Sequence, residues 1–181
     1  TARDSKSIAL SEYESKQLLS KYDIHVDLGV IVRSKEEATA KAKKMTYPIV
    51  MKIESADILH KSDVGGVKLN IASQDEAVRA YDDIMSSVAK NAAGAKINGI
   101  LMQNMLPKGL EVIIGINNDE QFGPMLLLGL GGVFVEVFKD AALYPVPINK
   151  EEAYEMVKSL KAFKLLKGYR GGKSLDIDAL T

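Results

Sequence analysis

The stretch Tyr47-Pro-Ile-Val-Met-Lys52-Ile-Glu54-Ser-Ala-Asp-Ile-Leu-His60-Lys61-Ser62-Asp63-Val-Gly65-Gly66-Val67-Lys68 decides how this chain is read. A short apolar run carries a lysine near its end. A loop follows with a histidine, an aspartate and paired glycines, and Val67-Lys-Leu-Asn-Ile71 then alternates apolar and polar residues. Both flanks read as strands, the second half-exposed. Strand–loop–strand order excludes two common phosphate motifs. No Gly-Lys-Ser/Thr follows the glycines, as a P-loop requires, and no helix opens at them, as the dinucleotide fingerprint requires. Backbone N–H groups at paired glycines can approach phosphate oxygens, and a lysine can neutralise them. Neutral imidazole is a nucleophile near pH 7 and can hold or pass a phosphoryl group. Lys52, His60, Gly65 and Gly66 are therefore candidates for a phosphate site. Each also has a plainer reading: a snorkelling lysine, a hydrogen-bonded loop histidine, a tight turn between strands. His25, before a short strand, reads as structural.

Working outward, Ser11 with Glu14 is a capping-box pattern and predicts a helix to about Tyr22, with Tyr13, Leu18, Leu19 and Tyr22 broadly on one side. Val30–Val32 is a short strand. Ser34 with Glu37 starts a second helix carrying Ala38, Ala42 and Met45, and Ser73 with Glu76 a third, to about Ala89. Asn91-Ala-Ala-Gly-Ala breaks the pattern. The second half is strand-rich: Gly99–Leu106, a Pro107-Lys-Gly109 link, Leu110–Ile116, a turn at Asn117-Asn-Asp-Glu120, Met125–Leu130, Gly131-Gly132, and Val133–Phe138. Gly129-Leu-Gly131-Gly132 reads as a hairpin or close-approach turn. Asn149 with Glu152 caps a last helix to about Leu160. Mixed elements with hairpin-length links predict α+β layers rather than a doubly wound sheet.

Bulk properties narrow the function. Lys plus Arg and Asp plus Glu both number 24, so the 181-residue chain carries no net charge, and neither nucleic acid nor an anionic membrane is favoured as a partner. No apolar run approaches the roughly 20 residues of a membrane span, and Thr1–Lys6 lacks the apolar core of a signal peptide. The absence of cysteine excludes disulfides and thiolate metal sites and fits a cytoplasmic protein. Ser-His-Asp, His-Glu-x-x-His, EF-hand and Cys/His patterns are all missing. Glu111, after the Pro-Lys-Gly link, is either a solvent-facing edge residue or an acceptor for ribose hydroxyls.

Leu10-Ser-Glu-Tyr-Glu-Ser-Lys-Gln-Leu-Leu19, Pro48-Ile-Val-Met-Lys-Ile53, Ile58-Leu-His-Lys-Ser-Asp-Val-Gly-Gly-Val67, Gly109-Leu-Glu-Val-Ile-Ile-Gly115 and Phe122-Gly-Pro124 with Gly129-Leu-Gly-Gly-Val-Phe-Val-Glu136 together resemble one family. It is the ATP-grasp domain of ADP-forming acyl-CoA synthetases, the beta subunit or fused equivalent of acetyl-CoA synthetase (ADP-forming), related to succinyl-CoA synthetase. The likeness covers nearly the whole chain, and the His-Lys-Ser-Asp-Val-Gly-Gly-Val segment is its most specific marker. The resemblance implies a two-lobed ATP-grasp fold clasping nucleotide: a helical segment over 1–23, the smaller lobe over 24–104 and part of the larger lobe over 105–181. It implies an enzyme, an acid–thiol ligase coupling acyl-CoA thioester chemistry to ATP formation, with a CoA-binding subunit or fused domain as partner and ATP/ADP and Mg²⁺ as cofactors. By resemblance His60 is a phosphohistidine, Lys52 binds nucleotide phosphates, and Gly65, Gly66 and Val67 form the loop over them. Gln103, Asn104, Met105 and Leu106 match the segment whose backbone binds adenine, and Glu111 matches a carboxylate near the ribose.

The chain departs from the family at several points. The family usually has Gln-Glu-Met where this chain has Gln103-Asn104-Met105, and it often carries arginine near Tyr144. Its Mg²⁺-binding Asp/Asn strand is expected beyond Thr181, because no Asn-Pro follows Asp176-Ile-Asp178. No metal ligand is therefore expected in this chain, which reads as a fragment with an incomplete C-terminal lobe, inactive by itself. Two other readings remain open at this level: a non-catalytic synthetase-like module regulating a protein acyltransferase, and an ATP-grasp ligase joining a carboxylate to another acceptor without a loop histidine.

Overall fold

The structure, a computed structural model, describes residues 9–131, 140–168, 172 and 174–181. The expected strand Val133–Phe138 and Gly132 lie outside them. The chain forms two compact units, Thr1–Pro107 and Lys108–Thr181. Strands pair antiparallel throughout, which makes the fold α+β.

The first unit opens with α1 (Glu12–Ser20). Ser11 accepts from the Glu14 N–H while the Glu14 carboxylate accepts from the Ser11 N–H, the reciprocal cap its sequence predicts. β1 (Val30–Val32), β2 (Ile49–Glu54), β3 (Val67–Ile71) and β4 (Gly99–Asn104) form one sheet in the order β1-β4-β2-β3. Helices α2 (Lys35–Ala42) and α3 (Gln74–Asn91), capped by Ser34 and Ser73, cover one face. The strand period of two sends Ile49, Met51 and Ile53 into the core these helices close, with Ala38, Ala42, Ala77, Ile84, Ile100 and Met102. Val50, Lys52 and Glu54 consequently fall on the other face. That alternation, not any loop, presents Lys52 and Glu54 side by side.

The second unit is a β5-β6-β7 sheet, β5 (Val112–Asp119), β6 (Gly123–Leu130) and β7 (Ala141–Pro145). It packs on α4 (Lys150–Ser159) through Leu128, Met156, Val157 and Leu160. Asn149 and Glu152 make a capping box at α4. Two short helices follow, α5 (Phe163–Leu166) and α6 (Ile177–Leu180).

Several expectations are corrected. Asn117–Asp119 continues β5 by pairing with Gly123–Met125, and the turn falls later, over 120–122, where Asp119 Oδ1 accepts the Gln121 and Phe122 N–H groups at 2.8 and 3.0 Å. β3 does not keep its alternation: the register shifts between Ile49 and Met51, Asn70 takes φ +57°, and Leu69 is turned out to 58 % exposure. α1 ends at Ser20, and the expected apolar face is not buried, with Leu18 and Leu19 exposed. Its polar end anchors it instead. β7, α5 and α6 carry no sequence expectation. Among the described residues no helix is long and apolar enough to cross a membrane.

Candidate functional site

The glycine loop is joined to β2 at the lysine. Lys52 pairs with Val67 across the β2–β3 ladder, and the Ile53 N–H donates to the Gly66 carbonyl at 2.7 Å. The loop closes on itself through Gly66 N–H to the Lys61 carbonyl (2.8 Å), Gly65 N–H to Ser62 (3.1 Å) and Asp63 N–H to His60 (3.2 Å). Thus the glycine N–H groups expected to meet phosphate are occupied inside the turn in this conformation. Gly65, at φ +72°, lies against Ser87 of α3, where a Cβ would sit 2.9 Å from the serine Cβ. Val67 begins β3.

His60 is exposed and borders a cavity of about 460 Å³ whose wall also includes Leu10, Glu12, Lys61 and Ser62. Its neighbour is held more deeply. The Lys61 side chain is 13 % exposed, with Nζ 2.8 Å from Glu12 Oε2 and 3.7 Å from Glu54 Oε2. Lys52 Nζ donates to the other oxygen, Glu12 Oε1, at 2.8 Å, and Lys16 reaches that atom at 3.1 Å. One carboxylate therefore bridges the strand lysine and the loop lysine. Glu54 is buried; its Oε1 accepts the Tyr13 N–H at 3.1 Å, and among the described residues its Oε2 has no hydrogen-bond partner.

This cluster is what fixes α1. Burial raises the Glu12 pKa, but the hydrogen bonds and charges of Lys52 and Lys61 outweigh it and hold the group at about 2, below its ordinary 4.5. Because the folded value is depressed, the contribution is complete above about pH 4.5 and is lost as pH falls toward 2. Glu12→Gln is expected to lower unfolding free energy by about 1–2 kcal/mol at pH 7, allowing for solvent screening. Urea unfolding at pH 7, 4 and 3 should show the variant converging on the wild type as acid is added; parallel curves would sink this account.

The expected adenine segment lies at the end of β4. Gln103 is buried, and its Nε2 donates to the Asp27 carbonyl at 2.7 Å, so its side chain anchors the 24–29 connector. Asn104 pairs with Ile49 and is exposed. The Met105 N–H donates to the Pro48 carbonyl at 3.0 Å, and Leu106 is exposed. β1 pairs with β4 only as far as Val30–Met102, and among the described residues no strand pairs with the β1-side edge from Gln103 onward. Lys52, His60, Gly65–Val67 and Gln103–Leu106 thus belong to one unit. Glu111 belongs to the other, exposed, its carbonyl accepting the Gly131 N–H at 2.6 Å. A Cβ on Gly131 would lie 2.6 Å from Glu111 Cβ, so the expected glycine turn is here a close approach.

Sequence reasoning missed Glu12, Glu54 and Lys61. Glu54, two residues from Lys52 on a strand, was legible from period alone. Glu12, 40 residues from Lys52, was not.

A family model described as "ATP-grasp domain" matches residues 1–181. The chain belongs to the ATP-grasp family. It is 44% identical over 171 residues to the acetate–CoA ligase [ADP-forming] I subunit beta of Pyrococcus furiosus, covering 94% of this chain and 74% of that subunit. Against the acetate–CoA ligase [ADP-forming] I of Archaeoglobus fulgidus, 45% identical over 167 residues, it spans only 24% of the length. Among solved structures, acetyl-coenzyme A synthetase 1 of Ca. Korarchaeum cryptofilum with a phosphorylated phosphohistidine segment in the site I orientation matches with TM-score 0.88 and 41% identity, over 99% of this chain and 78% of that one. The same protein with Mg-AMPPCP, its phosphohistidine segment pointing towards the nucleotide binding site, matches with TM-score 0.77 and 37% identity, over 99% and 76%.

Proposed function

We propose that this chain is the nucleotide-handling part of an ADP-forming acyl-CoA synthetase, an acid–thiol ligase, in which His60 relays a phosphoryl group between ADP/ATP and a CoA-binding partner. The carrying observation is local. An exposed histidine, a glycine turn and a strand lysine form one hydrogen-bonded piece, through Lys52 opposite Val67 and Ile53 N–H on Gly66. That piece sits in a chain with ADP-forming acetate–CoA ligase relatives.

The step is phosphoryl transfer. A ring nitrogen of neutral His60 attacks the γ-phosphorus of ATP, the N–P bond forms, and the bond to the bridging oxygen breaks with its electrons leaving on ADP. The reverse makes ATP. Lys52 neutralises nucleotide phosphates, in competition with Glu12, which now holds its ammonium. Gly65, Gly66 and Val67 cover the phosphates once the turn opens. Backbone groups of Gln103–Leu106 take adenine, and Glu111 the ribose. We read 1–23 as a helical segment, 24–104 as the smaller lobe and 105–181 as part of the larger. Mg²⁺ would screen phosphate charge. Among the described residues no three His, Asp or Glu converge as a metal site, and Asp176 caps α6.

The test is γ-labelled ATP with Mg²⁺ on the synthetase assembled with its CoA-binding part. Acid-labile, base-stable label in the peptide containing His60 is expected. Nucleotide binding without such label would overturn the relay.

A further inference from the structure

We propose that Lys61 is a positioning residue: its docking between Glu12 and Glu54 holds the His60 segment in place and must be released for the segment to travel. The proposal rests on the reading of His60 as phosphoryl carrier and deepens it.

Two adjacent residues have opposite fates. His60 is exposed, while the next side chain, one of the most water-seeking, is 13 % exposed. A lysine is drawn inward when opposite charges compensate its lost hydration. Glu12 Oε2 at 2.8 Å supplies a charge-assisted hydrogen bond, and Glu54 Oε2 at 3.7 Å supplies a second negative charge. The benefit is mutual. Among the described residues, Glu54 Oε2 is a buried carboxylate oxygen without a hydrogen bond, and Lys61 is the cation facing it. Withdrawing Lys61 leaves that charge uncompensated, which makes the docked position a defined well.

The loop is held at a second point on the same residue. The Lys61 carbonyl accepts the Gly66 N–H at 2.8 Å, and the Gly66 carbonyl is bound by β2. Side chain and backbone of Lys61 therefore tie the segment to α1 and β2 together. The cavity of about 460 Å³ flanking His60 and Lys61 leaves the segment free of dense packing on one side. Glu12 also holds Lys52, so a nucleotide phosphate that draws Lys52 away leaves more of the Glu12 charge to Lys61 and tightens the dock, which couples it to nucleotide binding. The relative from Ca. Korarchaeum cryptofilum, whose phosphohistidine segment is described in two orientations, is the kind of protein such a releasable dock would serve.

The experiment compares wild type, Lys61→Met, Lys61→Arg and Glu12→Gln in the assembled synthetase. Two readouts are taken: hydrogen exchange of the Asp63, Gly65 and Gly66 amides, and the ratio of two single-turnover rates, His60 labelling from γ-labelled ATP and discharge of that label to the CoA-binding part. Lys61→Met is expected to speed loop exchange about tenfold, the effect of losing one charge-assisted hydrogen bond. The β2–β4 amides should not change. The ratio should shift by a similar factor, because one half-reaction uses the docked position and the other does not. A merely structural loss would reduce the active fraction without moving the ratio. Lys61→Arg should restore both readouts, and Glu12→Gln should move both in the same direction less far, serving also if Lys61→Met does not fold. Unchanged exchange and ratio in Lys61→Met and Glu12→Gln would overturn the dock. Absence of label on wild-type His60 would instead overturn the relay, leaving the exchange comparison to decide the dock alone.

Discussion

His60→Asn in the assembled synthetase is expected to abolish histidine labelling and to reduce turnover at least about a thousandfold, the scale of removing a covalent nucleophile. Asparagine keeps polarity and approximate size but has no nucleophilic ring nitrogen. The same variant should leave stability within about 0.5 kcal/mol, because an exposed side chain outside a packed contact carries little folding energy. Thermal unfolding and labelling on one preparation therefore separate chemistry from folding. His25→Asn is the internal control: this histidine is exposed on the connector before β1 and should retain full labelling. Full turnover in His60→Asn would remove His60 from the reaction altogether.

How much of this was legible beforehand follows the range of the interactions. Helix starts are legible because their determinants are three residues apart: Ser11, Ser34, Ser73 and Asn149 each accept from the backbone of the glutamate three residues on. Among the described residues, β1 to β6 are legible from apolar patterning, but not all of their ends are. Asn117–Asp119 has turn composition and yet stays in β5, because its partner Gly123–Met125 continues the ladder. β7, Ala141-Ala-Leu-Tyr-Pro145, is short, has no β-branched residue and ends on a proline, so its sequence carries no strong strand signal. The Leu69 outcome needed knowledge of a bulge opposite Ile49–Met51.

The candidate site divides in the same way. Lys52 and the glycine loop sit together because they are near in sequence and paired in register. The carboxylates that govern the two lysines could not be ranked from sequence. Glu12 resembles any first-turn glutamate, favourable to its helix wherever it lies. Only the packing of α1 against the Lys52 face turns it into the bridge between Lys52 and Lys61. Likewise Gln103, which looks like a ligand residue, is occupied in holding Asp27, because a connector crosses the face on which its side chain falls.

Gly66→Val is the second large effect expected. A Cβ at Gly66 would lie 2.6 Å from Ile53 Cγ2 and 2.9 Å from the Lys61 carbonyl oxygen. Neither neighbour can yield cheaply: Ile53 is fully buried in the helix-backed core, and the other atom is backbone. The loop must instead lift from β2, breaking the Ile53 N–H to Gly66 bond and the Gly66 N–H to Lys61 bond that place His60. Overpacking with loss of those bonds should cost about 2–4 kcal/mol and lower the melting temperature by roughly 10 °C or more. Labelling of His60 should fall with it even below the melting transition, since the segment loses its attachment before the sheet unfolds. Gly109→Ala, where a Cβ meets nothing within 4 Å, should change neither property. The comparison decides what the paired glycines are for. If Gly66→Val labels normally, close contact with Ile53 is not what positions the histidine. If it folds but does not label, close contact with Ile53 is what positions the histidine. The occupied N–H groups of the present turn favour the second outcome.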